Sequence, residues 1–164
     1  MSARSTAPPP RTGDPIPEFS ARSEGGRTVG RAELLGHPAV LYFYPKANSA
    51  GCSIEAREFA RHYEEFRRAG VAVVGVSVDP VEAQRRFRER CALPFELIAD
   101  VDGVLSGRFG VLGRIGMARR TTFLIGADGT VLEVVRSWRP KRHVERALER
   151  FVAGESSPAT SRSD

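Results

Sequence analysis

The chemistry open to this chain rests first on sulfur. It carries two cysteines, Cys52 and Cys91. Ser53, Ile54 and Glu55 follow Cys52, so there is no C-x-x-C pair and no reductase-type dithiol. A single pair of cysteines is also too few for the disulfide framework of a small secreted fold. Cys52 stands where a strand-like run, 39–44, gives way through a loop to a helical pattern starting near residue 51. The first N–H groups of a helix lack intrahelical acceptors, and the helix dipole places roughly half a positive charge beside them. Both favour a thiolate over a thiol. A free cysteine titrates near ~8.5, and helix N-termini are among the places where that falls to roughly 3.5–7.5. The predicted chemistry is therefore nucleophilic attack by a thiolate. The alternative is a buried, inert cysteine, but a loop-to-helix junction predicts a sulfur that solvent can reach.

Other reactive side chains are sparse. The three histidines, His37, His62 and His143, are scattered with no metal-ligand spacing, so no metal and no cofactor is expected. His143, Trp138 and Arg139 read equally well as a partner-facing surface or as ordinary packing and solvent-exposed residues. Net charge is +5 from 25 basic and 20 acidic residues, and all the basic ones except Lys46 and Lys141 are arginine. Arginine suits phosphate. Here, however, Glu55, Glu58, Glu64, Glu65 and Glu89 are interleaved, and the densest run, 85–90, contains Phe87 and Glu89. That is the pattern of solvated helix faces, and no nucleic-acid partner is expected. No segment approaches the ~18 apolar residues of a membrane span. The first twelve residues lack the apolar core of a secretory signal. The expectation is no membrane partner and a reducing, cytoplasmic setting.

The length, 164 residues, suits one domain. Residues 1–12 and 154–164 read as disordered tails around a domain spanning 13–153. Phe19 and Thr28-Val29 flank Glu24-Gly25-Gly26 as a small hairpin. The runs 39–44 and 71–78 are apolar enough for buried strands. Between them Ala56, Phe59, Tyr63 and Phe66 predict one helix over about 51–69, stopped by Gly70. Strand, helix and strand in that order make a right-handed parallel βαβ unit. Asp79, Pro80 and Glu82 predict a capping box, with Pro80 in the first turn of a helix that turns Ala83, Phe87 and Cys91 to one side. A strand at 95–99 and a short helix at 105–109 follow. A hairpin, 121–126 and 130–136, leads into a last amphipathic helix over about 140–152, with Val144, Leu148 and Phe151 inward. The order is βαβ, an inserted helix-strand-helix, then ββα. Its outer parts alone make an α/β, thioredoxin-like core: a central mixed sheet flanked by helices.

Several segments then point to one family. LYFYPKANSAGCSIEAREF resembles the active-site stretch of peroxiredoxins, most closely the bacterioferritin comigratory protein or peroxiredoxin Q branch. The family's Pro-x-x-x-Ser/Thr-x-x-Cys falls on Pro45, Ser49 and Cys52. GVSVDP, LPFELIAD, RTTFLIGADG and the N-terminal GDPIPEF resemble further segments of that branch, so the likeness runs over about residues 13–151. The resemblance implies a peroxiredoxin-type N-terminal hairpin and a cofactor-free thiol peroxidase. In it Cys52 attacks hydrogen peroxide or an organic hydroperoxide, and thioredoxin or a low-molecular-weight thiol restores it. It also implies a monomer or weak dimer.

By the same resemblance Ser49 would hydrogen-bond the sulfur or the peroxide, unless it is an ordinary turn serine. Arg120 would stabilise thiolate and breaking oxygens, with Arg119 as its rival. Pro45 would shield the pocket, and the Gly51 and Cys52 N–H groups would complete an anion site. Glu55 would orient the arginine or simply suit the first helical turn. The usual Thr-Pro-Gly-Cys is Ser49-Ala50-Gly51-Cys52 here, and Arg57 stands where many members carry a resolving cysteine. Other members resolve through the next long helix at a position matching Arg88. Cys91, three residues on, is therefore either resolving or structural. A non-catalytic redox sensor or interaction module is the alternative function.

Overall fold

The computed structural model describes residues 7–153. Residues 1–6 and 154–164, where much of the two expected tails falls, lie outside the described residues. Residues 7–12, expected in the N-terminal tail, are described and make contacts with the domain. The Ala7 N–H donates to the Gly107 carbonyl at 2.8 Å and Pro10 is buried, so 7–12 pack against the body.

In chain order the elements are β1 (Ser20–Arg22), β2 (Thr28–Gly30), α1 (Arg31–Leu34), β3 (Ala39–Phe43), α2 (Ala50–Arg61), α3 (Tyr63–Arg68) and β4 (Ala72–Ser77). Then follow α4 (Val81–Cys91), β5 (Glu96–Ala99), α5 (Val104–Arg108), β6 (Thr121–Ile125), β7 (Val131–Arg136) and α6 (Pro140–Leu148), which ends in a wider π turn, Glu149–Ala153. β1 and β2 form the expected hairpin. The other strands make one mixed five-stranded sheet in the order β5-β4-β3-β6-β7. β3 runs parallel to β4 and antiparallel to β6. This is the thioredoxin-like arrangement that the segment order predicts, with α4, β5 and α5 as the insertion. No helix among the described residues is long and apolar enough to cross a membrane.

β3 is central because all five of its residues are apolar and buried. Side chains alternate across a strand. Val40 and Tyr42 therefore enter one core with Phe59 and Phe66 from α2 and α3, Phe87 from α4 and Val144 from α6. Leu41 and Phe43 enter the other, with Phe19, Leu105, Phe109 and Phe123. The N-terminal chain borders both sides of the sheet. Ser23 bridges Ile98 on β5, while Gly13 and Asp14 exchange backbone hydrogen bonds with Val131 on β7.

Two local expectations are corrected. The helix expected over 51–69 is two helices, broken at His62 (φ −104°, ψ 11°). Its apolar stripe survives the break because Phe59 and Phe66 still meet, with ring centroids 6.1 Å apart. The capping box on α4 is absent. Pro80 is the N-cap itself, Glu82 pairs with Arg85, and Asp79 bonds elsewhere. The buried side of α4 is Gln84, Phe87 and Cys91, with Ala83 only half-buried.

Gly75 on β4 pairs with Tyr42 on one side and Leu97 on the other. A Cβ there would come 2.9 Å from Leu97 Cδ2 and 3.0 Å from Tyr42 Cζ, both on fully buried side chains. Overpacking of this kind costs about 1–3 kcal/mol. Gly75→Ala is therefore expected to lower the urea midpoint by that amount of stability, and an unchanged midpoint would show that Tyr42 has room to move.

Candidate active site

Three strand ends converge on Cys52. The sulfur lies in the first turn of α2, which starts at the N-cap Ser49. β3 carries the chain to this point, and Pro45, lacking an N–H, stops the ladder there. The short loop that follows is pinned by Asp79. Its Oδ2 accepts the Ala47 N–H at 2.7 Å and the Ser77 hydroxyl at 2.7 Å, tying the loop to the end of β4. β6 supplies the third side. Its register pairs Phe43 with Thr121, so Arg120, immediately before β6, stands beside the point where the chain leaves β3.

Arg120 binds two partners at once. One terminal nitrogen, Nη2, donates to Cys52 Sγ at 3.3 Å, and the other, Nη1, donates to Glu55 Oε1 at 2.5 Å. Arg119 is exposed and is not part of this contact. Gly51 makes room for the guanidinium, since a Cβ at that position would lie 3.1 Å from Nη2. Pro140, at the start of α6, borders the same space, its Cγ 3.8 Å from where that Cβ would stand.

Two expectations about the sulfur's surroundings are corrected. Cys52 is 1% exposed, where a loop-to-helix junction suggested a sulfur open to solvent. The cause is tertiary: α6 packs against α2, and Cys52 joins the apolar cluster of Tyr42, Tyr44 and Val144. Ser49 does not reach the sulfur in this arrangement. Its hydroxyl donates to the Lys46 carbonyl at 2.8 Å and closes the loop on itself.

Glu55 is fully buried beneath Arg120. Burial pushes its carboxyl up to about 8, against the pull of the guanidinium. Its second oxygen, Oε2, has no hydrogen-bond partner among the described residues and lies 3.8 Å from His143 Nδ1. His143 is also fully buried, so it does not belong to a surface with Trp138, which is 84% exposed.

The chain has known relatives. The sequence profile of the AhpC/TSA family matches residues 12–134. The chain belongs to that family. Peroxiredoxin Bcp of Escherichia coli K12 is 34% identical over 147 residues, covering 85% of this chain and 94% of the relative. The crystal structure of peroxidoxin BcpB from Mycobacterium tuberculosis superposes with a TM-score of 0.81 at 35% identity, over 88% of this chain and 97% of that one. A cysteine-to-serine mutant of peroxiredoxin Q from Xylella fastidiosa gives 0.84 at 27% identity, over 91% and 99%. The match is to the branch that the sequence motifs indicated.

Within this AhpC/TSA chain, Cys91 closes α4 at 6% exposure, in the same apolar cluster as Cys52, and both cysteines are free. Arg88, one turn earlier, is held by Glu24 at 2.8 Å. Sequence reasoning missed two polar residues close to the site. Gln84 accepts the Tyr44 hydroxyl at 2.6 Å and donates to the Ile98 carbonyl, fixing α4 over the strand ends. Asp79 ties the loop before α2 to β4 and does not cap α4. A polar residue inside an apolar stripe was the available signal for Gln84.

Glu55 has a testable thermodynamic signature. In the fold it holds a proton up to about 8, whereas the unfolded chain releases it near 4.5. Between those values the native state binds more protons, so its stability falls as pH rises. Glu55→Gln keeps the neutral shape. Urea unfolding from about pH 5 to about pH 9 should show wild type losing stability relative to the variant, and a difference that stays flat would contradict the assignment.

Proposed function

We propose that the chain is a thiol-dependent peroxidase in which Cys52 is the attacking sulfur and Arg120 the group that holds charge in place during attack. The contact between Arg120 Nη2 and Cys52 Sγ, at the start of a helix, carries the reading. The Cys52 thiolate attacks one oxygen of a hydroperoxide. The S–O bond forms as the O–O bond breaks, the leaving oxygen departs as water or an alcohol after taking a proton, and Cys52 becomes a sulfenic acid. Negative charge spreads from sulfur to the two oxygens. A guanidinium already donating to the sulfur is placed to follow it.

The Gly51 and Cys52 N–H groups at the helix start supply further donors. Pro45 shields the strand side of the loop. Ser49 serves the reaction by turning its hydroxyl from Lys46 toward the peroxide as it enters. Glu55 orients Arg120. Hydrogen peroxide and organic hydroperoxides are the substrates. The Xanthomonas campestris bacterioferritin comigratory protein, 28% identical, is described for alkyl peroxide reduction. Thioredoxin or a low-molecular-weight thiol is the reductant, the chain is a monomer or weak dimer, and its setting is reducing and cytoplasmic, which the two free cysteines suit.

Cys91 completes the cycle in this reading. Its sulfur attacks the Cys52 sulfenic acid, water leaves, and a disulfide forms once the first turn of α2 unwinds to bring the sulfurs together. Their place in one apolar cluster supports it.

Peroxide consumption with thioredoxin and with a small thiol tests the whole. Cys52→Ser should be inactive with both. Arg120→Met should slow single-turnover oxidation by roughly 10²–10³-fold. Cys91→Ser should keep that first oxidation and lose thioredoxin-coupled turnover. After one equivalent of peroxide, intact mass should show wild type two protons lighter. A persistent sulfenic acid in wild type would instead make this a one-cysteine enzyme reduced from outside.

A further inference from the structure

Cys91 is the last residue of α4 and lies on its buried side with Gln84 and Phe87. Unwinding the first turn of α2 frees Cys52 and leaves this second sulfur enclosed. The end of α4 that holds it has an unusual backbone. Ala92, the next residue, has φ 53° and ψ 51°, in the left-handed region. Its N–H donates to the Glu89 carbonyl at 3.2 Å, and the Leu93 N–H donates to the Arg88 carbonyl at 3.0 Å. These two bonds close a helix in a Schellman turn, where glycine is the usual residue because a Cβ is costly there. Ala92 is exposed, so packing of its methyl group does not offset that cost.

A charged pair fastens the same turn. Arg88 Nε donates to the Leu93 carbonyl at 3.1 Å, and Arg88 Nη1 donates to Glu24 Oε2 at 2.8 Å. Glu24 is buried in the turn of the β1–β2 hairpin. Its other oxygen accepts the Leu97 N–H at 3.1 Å, and its own N–H donates to the Leu97 carbonyl at 2.7 Å. The fastening thus runs from β5 through Glu24 and Arg88 to the carbonyl two residues beyond Cys91. Charge-assisted hydrogen bonds of this kind are the stronger class. The end of α4 is held shut from one side and strained from the other.

We propose that the Glu24–Arg88 pair is a latch on the resolving thiol: it keeps the strained end of α4 closed, and its release lets that turn unwind and deliver Cys91 to the Cys52 sulfenic acid. The proposal rests on the reading of Cys91 as the resolving cysteine and adds what controls it. On delivery the Cys91 sulfur bonds to the Cys52 sulfur, the S–O bond breaks, and the hydroxyl leaves as water with the Cys91 proton. Glu24 and Arg88 take no part in that exchange. They act through the place of Cys91 and are positioning residues. Because latch and strain oppose each other, weakening the pair opens the turn and relieving the strain closes it.

The test reads both signs. Glu24→Gln keeps the shape and an acceptor for Leu97 while removing the charge that holds Arg88. Ala92→Gly relaxes the left-handed residue. In a Cys52→Ser background, labelling of Cys91 by an aromatic disulfide reagent is expected to speed up roughly tenfold with Glu24→Gln. It should slow roughly fivefold with Ala92→Gly. That second variant gains stability, so it keeps the test open should the first fold poorly. Both rates should be nearly flat at low urea, the mark of a local opening. Labelling that climbs with urea as steeply as global unfolding overturns the proposal, and so does a rate that either folded variant leaves unmoved or moves the other way. With Cys52 intact and one equivalent of peroxide, the step from sulfenic acid to disulfide should follow the same two directions, while sulfenic acid forms at the wild-type rate. A disulfide step that ignores both substitutions overturns the latch alone. Wild type that keeps its sulfenic acid, whatever the labelling shows, overturns the resolving role of Cys91 and the latch with it.

Discussion

An arginine whose side chain is only 14% exposed must satisfy its charge from inside the protein. Arg120 does so with the buried Glu55 carboxyl group on one nitrogen and a sulfur on the other. The arrangement is asymmetric in consequence. Coulomb attraction is several-fold stronger at low effective dielectric than in water, so the guanidinium is a strong electrostatic anchor here. Removing one partner of a buried pair typically costs about 3–5 kcal/mol, because the survivor is left unpaired. Glu55, Arg120 and Cys52 therefore act as one unit, and the elements around them serve to keep its three corners in register.

That register is a property of the sheet rather than of the loop. β3 and β6 are bonded neighbours, so the chain segment entering α2 and the residue preceding Thr121 start from adjacent points on a rigid surface. Asp79 adds a tether from the next strand, and Gly51 supplies clearance where any side chain would push the guanidinium. Pro140 and the packing of α6 over α2 close the top. The enclosure that hides the sulfur is thus the same packing that dries the charges around it.

The residues that face one another across short stretches of chain were readable from sequence. Pro45, Ser49, Gly51 and Cys52 share one loop and helix start, and Arg120 announces itself by standing before Thr121, Thr122 and Phe123. The succession of strands and helices along the chain followed from the apolar runs and the turn signals between them. What escaped notice depends on partners far apart in the chain. Asp79 looked like a helix cap because its local neighbours allow that, and only the fold brings Ala47 to it. His143 looked like one of three scattered histidines until Thr122 and Glu55 closed around it. The burial of Cys52 likewise depends on α6, which local periodicity places on a face without saying which element that face will cover.

The way the N-terminal segment borders the sheet has a further effect. Unpaired edge strands invite pairing with another chain. Here the β1–β2 hairpin hands Ser23 and Glu24 to β5 at one edge, and residues 13–15 lie along the start of β7 at the other. A single contiguous stretch thereby covers part of each rim of the sheet. Where those contacts lie, at β5 and at the start of β7, the backbone groups of the edge are already taken and another strand cannot add.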